Sequence, residues 1–270
     1  MITLKEIWVY PVKSLPGTRV SRARVGPRGF SNDRRFMVVS PSGVFITQRK
    51  YPRMALLSVE LGTDLLRLGS PDGAVIEVPS TPVGPEMQVR VWEDTVTAVD
   101  AGDAVAEWLA HVLETPARLV YMPESTVRLA DQDNARPDDR VAFQDGFAFL
   151  LTSQESLDAL NSRLKTPVDM RRFRPNLVVA GGTPFGEDEW TSFELGPVSF
   201  CVQKPCARCV IVDVEPDEGV NDGAVLSELA RFRNREHRTL FGQNLVHDGC
   251  GWLTEGMRLE GCPTLPVTPG

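Results

Sequence analysis

Turn signals recur at short intervals through the first hundred residues of this chain, and the stretches between them are strand-sized. ITLKEIWVYPV, TRVSRARV, RRFMVVS, GVFITQR, ALLSVEL, LLRLGS, AVIEVP and QVRVWEDTVTAVD are short runs rich in Val, Ile, Leu and Thr, divided by LPG, PRG, PSG and SPDG. A doubly wound parallel sheet needs a long crossover, usually a helix, after each strand. Strands this closely spaced point instead to a barrel or sandwich.

The second part of the chain mixes helix with strand. In AGDAVAEWLAHVLE the residues Val105, Trp108, Leu109, Val112 and Leu113 fall on one helical face, with Asp103 as the expected cap. TSQESLDALNSRL has a Thr/Ser cap at 152–153 and a Leu157, Leu160, Leu164 stripe, and AVLSELARFRNREHR reads as a further helix. Strands resume in RPNLVVAG, SFELGPVSFCVQK and ARCVIVDVEP, then in TLFGQNLVHDG and MRLEG, while RPDDRVAFQDG reads as a polar loop ending at a site. The expected fold class is α+β and β-rich, with a β-barrel-like unit over residues 1–115 and a second unit with a few helices over 116–270.

A chain of 270 residues with 42% hydrophobic and 24% charged side chains has the make-up of a soluble globular protein. Its formal net charge of -7 argues against nucleic acid or an anionic membrane as partner. Arginines nevertheless cluster at 34–35, 49–53 and 171–174, which allows a local basic pocket. No apolar run is long enough for a membrane span. MITLKEIWVYPVKS reads as a strand rather than a leader, so a cytoplasmic location is expected.

Five cysteines, Cys201, Cys206, Cys209, Cys250 and Cys262, make an odd set, and a reducing compartment disfavours a disulfide framework. Within QKPCARCVIVDVEPDEG the pair Cys206 and Cys209 has three readings. With His247 and Cys250 it makes a tetrahedral zinc set in ligand type, but the gap between the halves is far longer than in a compact finger. As a redox dithiol it should open a helix, whereas VIVDVEP is strand-like. As a single thiolate for a soft metal, Cys209 gains from the adjacent Arg208 cation. Cys201, Cys206 and Cys262 read as small, partly buried side chains. Of the histidines, His111 is expected to be structural, while His237 and His247 have no assigned role.

Set beside YPVKSLPG, NDRRFMVV, FRPNLVV and FGQNLV, the motif KPCARCVIVDVEPDEG makes the chain resemble the MOSC family from residue 2 to about residue 260. This family is related to the C-terminal part of molybdenum cofactor sulfurase. The resemblance is closest to the branch with the mitochondrial amidoxime-reducing component and its bacterial relatives. It implies an N-terminal β-barrel-like domain, a MOSC β-barrel domain, and the molybdenum cofactor (Mo-molybdopterin) bound between them. By position, Cys209 matches the thiolate ligand of molybdenum, and Arg208 and Ala207 match neighbours that contact the cofactor, Ala207 through its backbone. Lys13 and Ser14 match a pair near the phosphate end, and Arg34 an arginine of the same pocket. Asp145 matches an acid that accepts hydrogen bonds from pterin nitrogens, and Arg174 and Asn176 a further polar pair, with Pro175 expected to hold Arg174 in an extended backbone.

The implied activity is reduction of small N-hydroxylated or N-oxygenated compounds. Some bacterial relatives add a ferredoxin-like domain with four cluster-binding cysteines; Cys250 and Cys262 are too few for a cluster. Electrons are therefore expected from a separate donor protein of ferredoxin, flavodoxin or cytochrome b5 type. The alternative implied by the resemblance is a carrier of cofactor or of sulfur, with a persulfide on Cys209.

Overall fold

In the computed structural model, which describes residues 1–261, the first strand bridges the two halves of the chain. Thr3–Val9 pairs with Thr18–Val20 on one edge and with Leu177–Ala180, from the far half of the chain, on the other. It thereby enters a sheet ordered Leu259–Glu260, Ser192–Leu195, Val198–Ala207, Arg238–Asp248, Phe149–Ser153, Leu177–Ala180, Thr3–Val9 and Thr18–Val20. Phe149–Ser153 and Leu177–Ala180 run parallel, so the chain between them must cross over, and it does so through the helix Gln154–Asn161.

A second sheet runs Glu86–Val91, Asp94–Asp100, Arg118–Tyr121, Phe36–Val39 and Val12–Lys13. Two smaller sheets join Gly251–Thr254 to Arg22–Gly26 and Gly29–Phe30, and Ser58–Leu61 to Leu65–Gly69 and Val75–Pro79. The fold is α+β and β-rich as expected, although the described sheets are barrel-like without closing on themselves. Between Val9 and Val12 the chain steps from the first sheet into the second, which leaves Lys13 and Ser14 where the two meet.

Burial explains the sequence patterns. Phe36 and Val38 enter one core with Leu15, Leu66, Leu109 and Leu119, while Met37 and Val39 enter another with Val89, Val91 and Phe143. A strand buried on both faces has no polar alternation, as FMVV shows. Under the main sheet Phe149 meets Phe30 and Phe200 edge-on at 4.9 and 5.2 Å. Phe173 stacks on Phe241 at 4.1 Å beside Leu157 and Leu160 of one helix and Val225 and Leu229 of another.

Several local expectations are corrected. The helix Asp103–Leu113 is capped by Gly102, and Asp103 instead accepts a 2.7 Å hydrogen bond from Arg118. His111 lies on the exposed side of that helix. Ser153 does cap Gln154–Asn161, accepting from the Ser156 N–H, but the helix ends before Leu164. The helix Ala224–Phe232 likewise stops early, and RNREHR becomes a hairpin with Glu236 and His237 at positive φ. GVFITQR forms only isolated bridges, Val39 with Phe45 and Val44 with Arg90. Cys201 and Cys206 are half-buried as expected; Cys262 lies outside the described residues.

Phe149 is 1% exposed and packs edge-on against the rings of Phe30, Phe200 and His247, so Phe149→Ala should lower unfolding free energy by about 3–5 kcal/mol. Chemical denaturation of the two proteins side by side measures the loss.

Candidate functional site

A cleft of about 360 Å³ opens where the two sheets meet, and Lys13, Ser14, Arg34, Asp145, Arg174, Asn176, Ala207, Arg208 and Cys209 all line it. Segments more than a hundred residues apart are thus brought to one place. The step between sheets supplies Lys13 and Ser14, and the turn after Gly29–Phe30 supplies Arg34. The loop before Phe149–Ser153 supplies Asp145, and the chain entering Leu177–Ala180 supplies Arg174 and Asn176. The end of Val198–Ala207 delivers Ala207, Arg208 and Cys209.

Lys13 is buried, and its Nζ donates to the Phe143 carbonyl at 2.7 Å and to Asp145 Oδ1 at 2.5 Å. Burial pulls its pKa down to about 8, against the opposing pull of Asp145. The Asp145 side chain keeps 60% of its surface open to the cleft. The surrounding protein pushes its carboxyl up, but Lys13, Arg49 and the Trp92 N–H together hold it well below the usual carboxylate range.

Arg34 donates to Asp33 Oδ2 at 2.6 Å, to Asn176 Oδ1 at 3.0 Å and to the Arg174 carbonyl at 3.2 Å. Arg174 donates to the Leu15 carbonyl at 2.7 Å, and burial draws its pKa down to about 10, leaving it cationic at neutral pH. Both guanidiniums lie over the Tyr10 ring, at 4.2 and 4.4 Å. That ring is wedged against Gly17, where a Cβ would stand 2.4 Å from it. Burial pushes the Tyr10 pKa far above its ordinary value, so the phenol stays neutral.

The cleft is locally cationic in an acidic chain: Lys13, Arg34, Arg49, Arg174 and Arg208 line it against one lining carboxylate, Asp145. It is also strained. Ser14, Arg34, Trp92 and Arg174 have φ of 64°, 49°, 55° and 55°, and all four border the cleft. Left-handed non-glycine residues are uncommon, and such strain gathers at functional sites.

Three readings made from local sequence change. Arg174 is left-handed rather than extended, because its N–H closes a turn onto the Arg171 carbonyl while its side chain and carbonyl are tied to Leu15 and Arg34. VIVDVEP does not continue the strand: Val210–Asp213 is a 3-10 turn, with Val212 packed against the Phe241 core, and half-buried Cys209 precedes it. The Arg208 guanidinium reaches Cys206 Sγ at 3.2 Å and the Phe173 carbonyl at 2.7 Å, so the bonded thiol is that of Cys206. For zinc, Ala207 pairs with Leu240 whereas His247 stands seven positions further along the partner strand, roughly 20 Å away at strand rise. Among the described residues no three His, Cys, Asp or Glu side chains are grouped to hold a metal ion.

Other residues of the site were not anticipated. Arg128 is buried and donates to the carbonyls of Ala142, Gln144 and Asp145 at 3.0, 2.6 and 3.1 Å, which fixes the loop that carries Asp145. Arg49 was visible only as one of a run of cations, and Trp92 as part of a strand pattern. Their partner is distant in sequence, and no local signal marks it.

No helix among the described residues is long and apolar enough to cross a membrane. Residues 1–116 match the MOSC N-terminal beta barrel domain, and residues 138–260 match the MOSC domain. Mitochondrial amidoxime-reducing component 1 of Homo sapiens is 35% identical over 273 residues, covering 94% of this chain and 81% of that protein. Molybdenum cofactor sulfurase of Oryza sativa subsp. japonica is 30% identical over 265 residues, 89% of this chain and 32% of that protein. Among solved structures the YUAD protein of Bacillus subtilis covers 96% of this chain at 9% identity with a TM-score of 0.45, too low to carry an argument. Two family domains matched in order, with relatives aligned along most of this chain, establish that it belongs to the MOSC-domain family, in the group that begins with a MOSC N-terminal β-barrel domain.

Proposed function

We propose that the cleft binds the molybdenum cofactor, Mo-molybdopterin, with Cys209 as the protein ligand of molybdenum. The chain would then reduce small N-hydroxylated compounds with electrons from a separate donor protein of ferredoxin, flavodoxin or cytochrome b5 type. The observation that carries this reading is the convergence of nine residues, from distant segments, on one cationic cleft. The relatives named amidoxime-reducing component and molybdenum cofactor sulfurase support it. We take residues 1–115 and 116–270 as the two domains that supply the cleft.

The donor set suits that group. A phosphate requires cations and hydroxyls, and Lys13, Ser14, Arg34 and Arg174 in the cleft wall offer them. A pterin ring presents adjacent N–H donors, and the ionised Asp145 is an acceptor with surface turned to the cleft. A soft metal takes a thiolate, and Cys209 is a half-buried free cysteine at the cleft wall. When bound, the group supplies two-electron reduction of an N–O bond.

The chain's own part is to bind, orient and neutralise. Arg208 joins the Phe173 carbonyl to Cys206 Sγ and so holds the segment Cys206–Cys209 against the turn that carries Arg174. Asn176 accepts from Arg34 and donates to the Trp8 carbonyl at 3.2 Å, tying the first strand to the same wall. Ala207, exposed at the strand end, offers backbone groups without a side chain to obstruct the cleft.

Metal and pterin analysis of protein made in a cofactor-competent host tests the assignment. Stoichiometric molybdenum and pterin are expected, and Cys209→Ala should lose at least about a hundredfold of the N-reductive activity. Full activity in that variant with a competent electron donor overturns the reading. Sulfane sulfur on Cys209 without pterin would favour a sulfur carrier.

The cleft's charge should also depend on pH. Lys13 gives up its proton as pH rises through about 8, whereas the carboxyl of Asp145 remains ionised throughout the neutral range. Anion affinity therefore falls with rising pH, and a bound anion shifts the midpoint upward because it favours the ammonium form. Sulfate, whose charge is constant here, should bind about tenfold more weakly at pH 9.5 than at pH 7, and Lys13→Met should flatten the dependence, as read by calorimetry.

A further inference from the structure

Trp92 and Arg49 stand in the cleft beside Asp145. Trp92 is the first residue of the two-residue turn between Glu86–Val91 and Asp94–Asp100, with φ at 55°. Positive φ in such a turn ordinarily calls for Gly or Asn, and a bulky side chain there is a backbone outlier. Core packing does not account for it, because Trp92 remains 41% exposed.

What its position secures is the carboxylate. The indole Nε1 donates to Asp145 Oδ1 at 3.0 Å. The Arg49 guanidinium lies 4.7 Å over the indole ring and brings Nη2 to 3.7 Å from Asp145 Oδ2. Phe45 packs against the same ring at 5.1 Å between centroids. One oxygen of Asp145 is thus addressed by the tryptophan and the other by the arginine that the tryptophan carries.

We propose that Trp92 and Arg49 are positioning residues that fix the Asp145 carboxylate in the orientation in which it accepts the ring N–H donors of a bound pterin. This rests on the cleft being the cofactor site. The other charges facing Asp145 are Lys13 on its Oδ1, Arg128 on its backbone carbonyl, and Arg174 across the cleft.

Trp92→Phe keeps a ring and removes the N–H; W92F/R49Q removes the second anchor as well; Trp92→Gly also relieves the turn. In protein loaded in a cofactor-making host, the half-time of pterin loss on dialysis is followed through the fluorescence of the oxidised pterin. It should shorten about tenfold in Trp92→Phe, the effect of one hydrogen bond to a charged group, and further in W92F/R49Q. The melting temperature of the apo Trp92→Gly chain should equal or exceed that of the parent. The acid limb of pterin retention against pH should move to higher pH in Trp92→Phe, since a bond to the ionised form is lost. A merely structural role would leave that limb in place.

Unchanged half-times and an unmoved acid limb in Trp92→Phe and W92F/R49Q overturn the proposal, as does pterin loss that only tracks a fall in apo stability. If the parent chain retains no pterin, it is the cofactor reading that fails. Carbon-13 titration of the Asp145 carboxyl in the apo chain then decides the positioning alone: a raised pKa in Trp92→Phe supports it, and an unmoved one overturns it.

Discussion

Two guanidiniums share the ring of Tyr10, and the rest of the site depends on how that crowding is tolerated. Arg34 and Arg174 lie 4.2 and 4.4 Å from it, on segments 140 residues apart. Two cations this close in a buried setting repel strongly unless compensated. The compensation is Asp33, whose buried carboxylate accepts from Arg34 at 2.6 Å and from the Tyr10 N–H at 2.8 Å. The Leu15 carbonyl takes the charge of Arg174 in turn. Removing one member of such a buried set leaves its partner's charge uncompensated, which is far more destabilising than losing a surface pair. The same interactions that gather cations at the cleft therefore also join the end of the first strand to the turn before Leu177–Ala180.

This arrangement is expensive for the backbone. Four left-handed non-glycine residues border one cleft, and each such residue costs on the order of 1–3 kcal/mol. The strain is sustained by its surroundings: the Phe149 and Phe173 clusters on the two faces of the main sheet, and a second sheet whose strand Phe36–Val39 is buried on both faces. Cores of this kind leave the backbone at the cleft few ways to relax. A chain of net charge -7 keeps five cations around a single opening, where the low-dielectric walls concentrate their field.

Much of the fold was legible in local patterns because those patterns report short-range physics. Closely spaced turn signals left room for strands and little else, and Ser153 followed by an apolar stripe located a helix start. Where local reading failed, a tertiary contact had overruled it. Val212 packs against Phe241 and turns a β-branched run into a 3-10 turn. Arg174 is held left-handed by Leu15 and Arg34 despite the proline after it. Gly102 caps a helix in place of Asp103, whose carboxylate is drawn to Arg118. Adjacency in ARC suggested that Arg208 serves Cys209, yet its guanidinium reaches Cys206.

By itself the sequence determined most of the element types, the β-rich class and, through family motifs, the polar residues of the cleft, because alternation, turn chemistry and residue identity are local properties. Only the tertiary structure decided that the first strand joins the far half of the chain, that Trp92 and Arg49 address Asp145, and which thiol the Arg208 guanidinium touches. The first two are matters of which surfaces and charges complement one another across 50 or more residues, and the third turns on the Phe173 carbonyl that anchors the guanidinium from 35 residues away; no spacing rule along the chain encodes them.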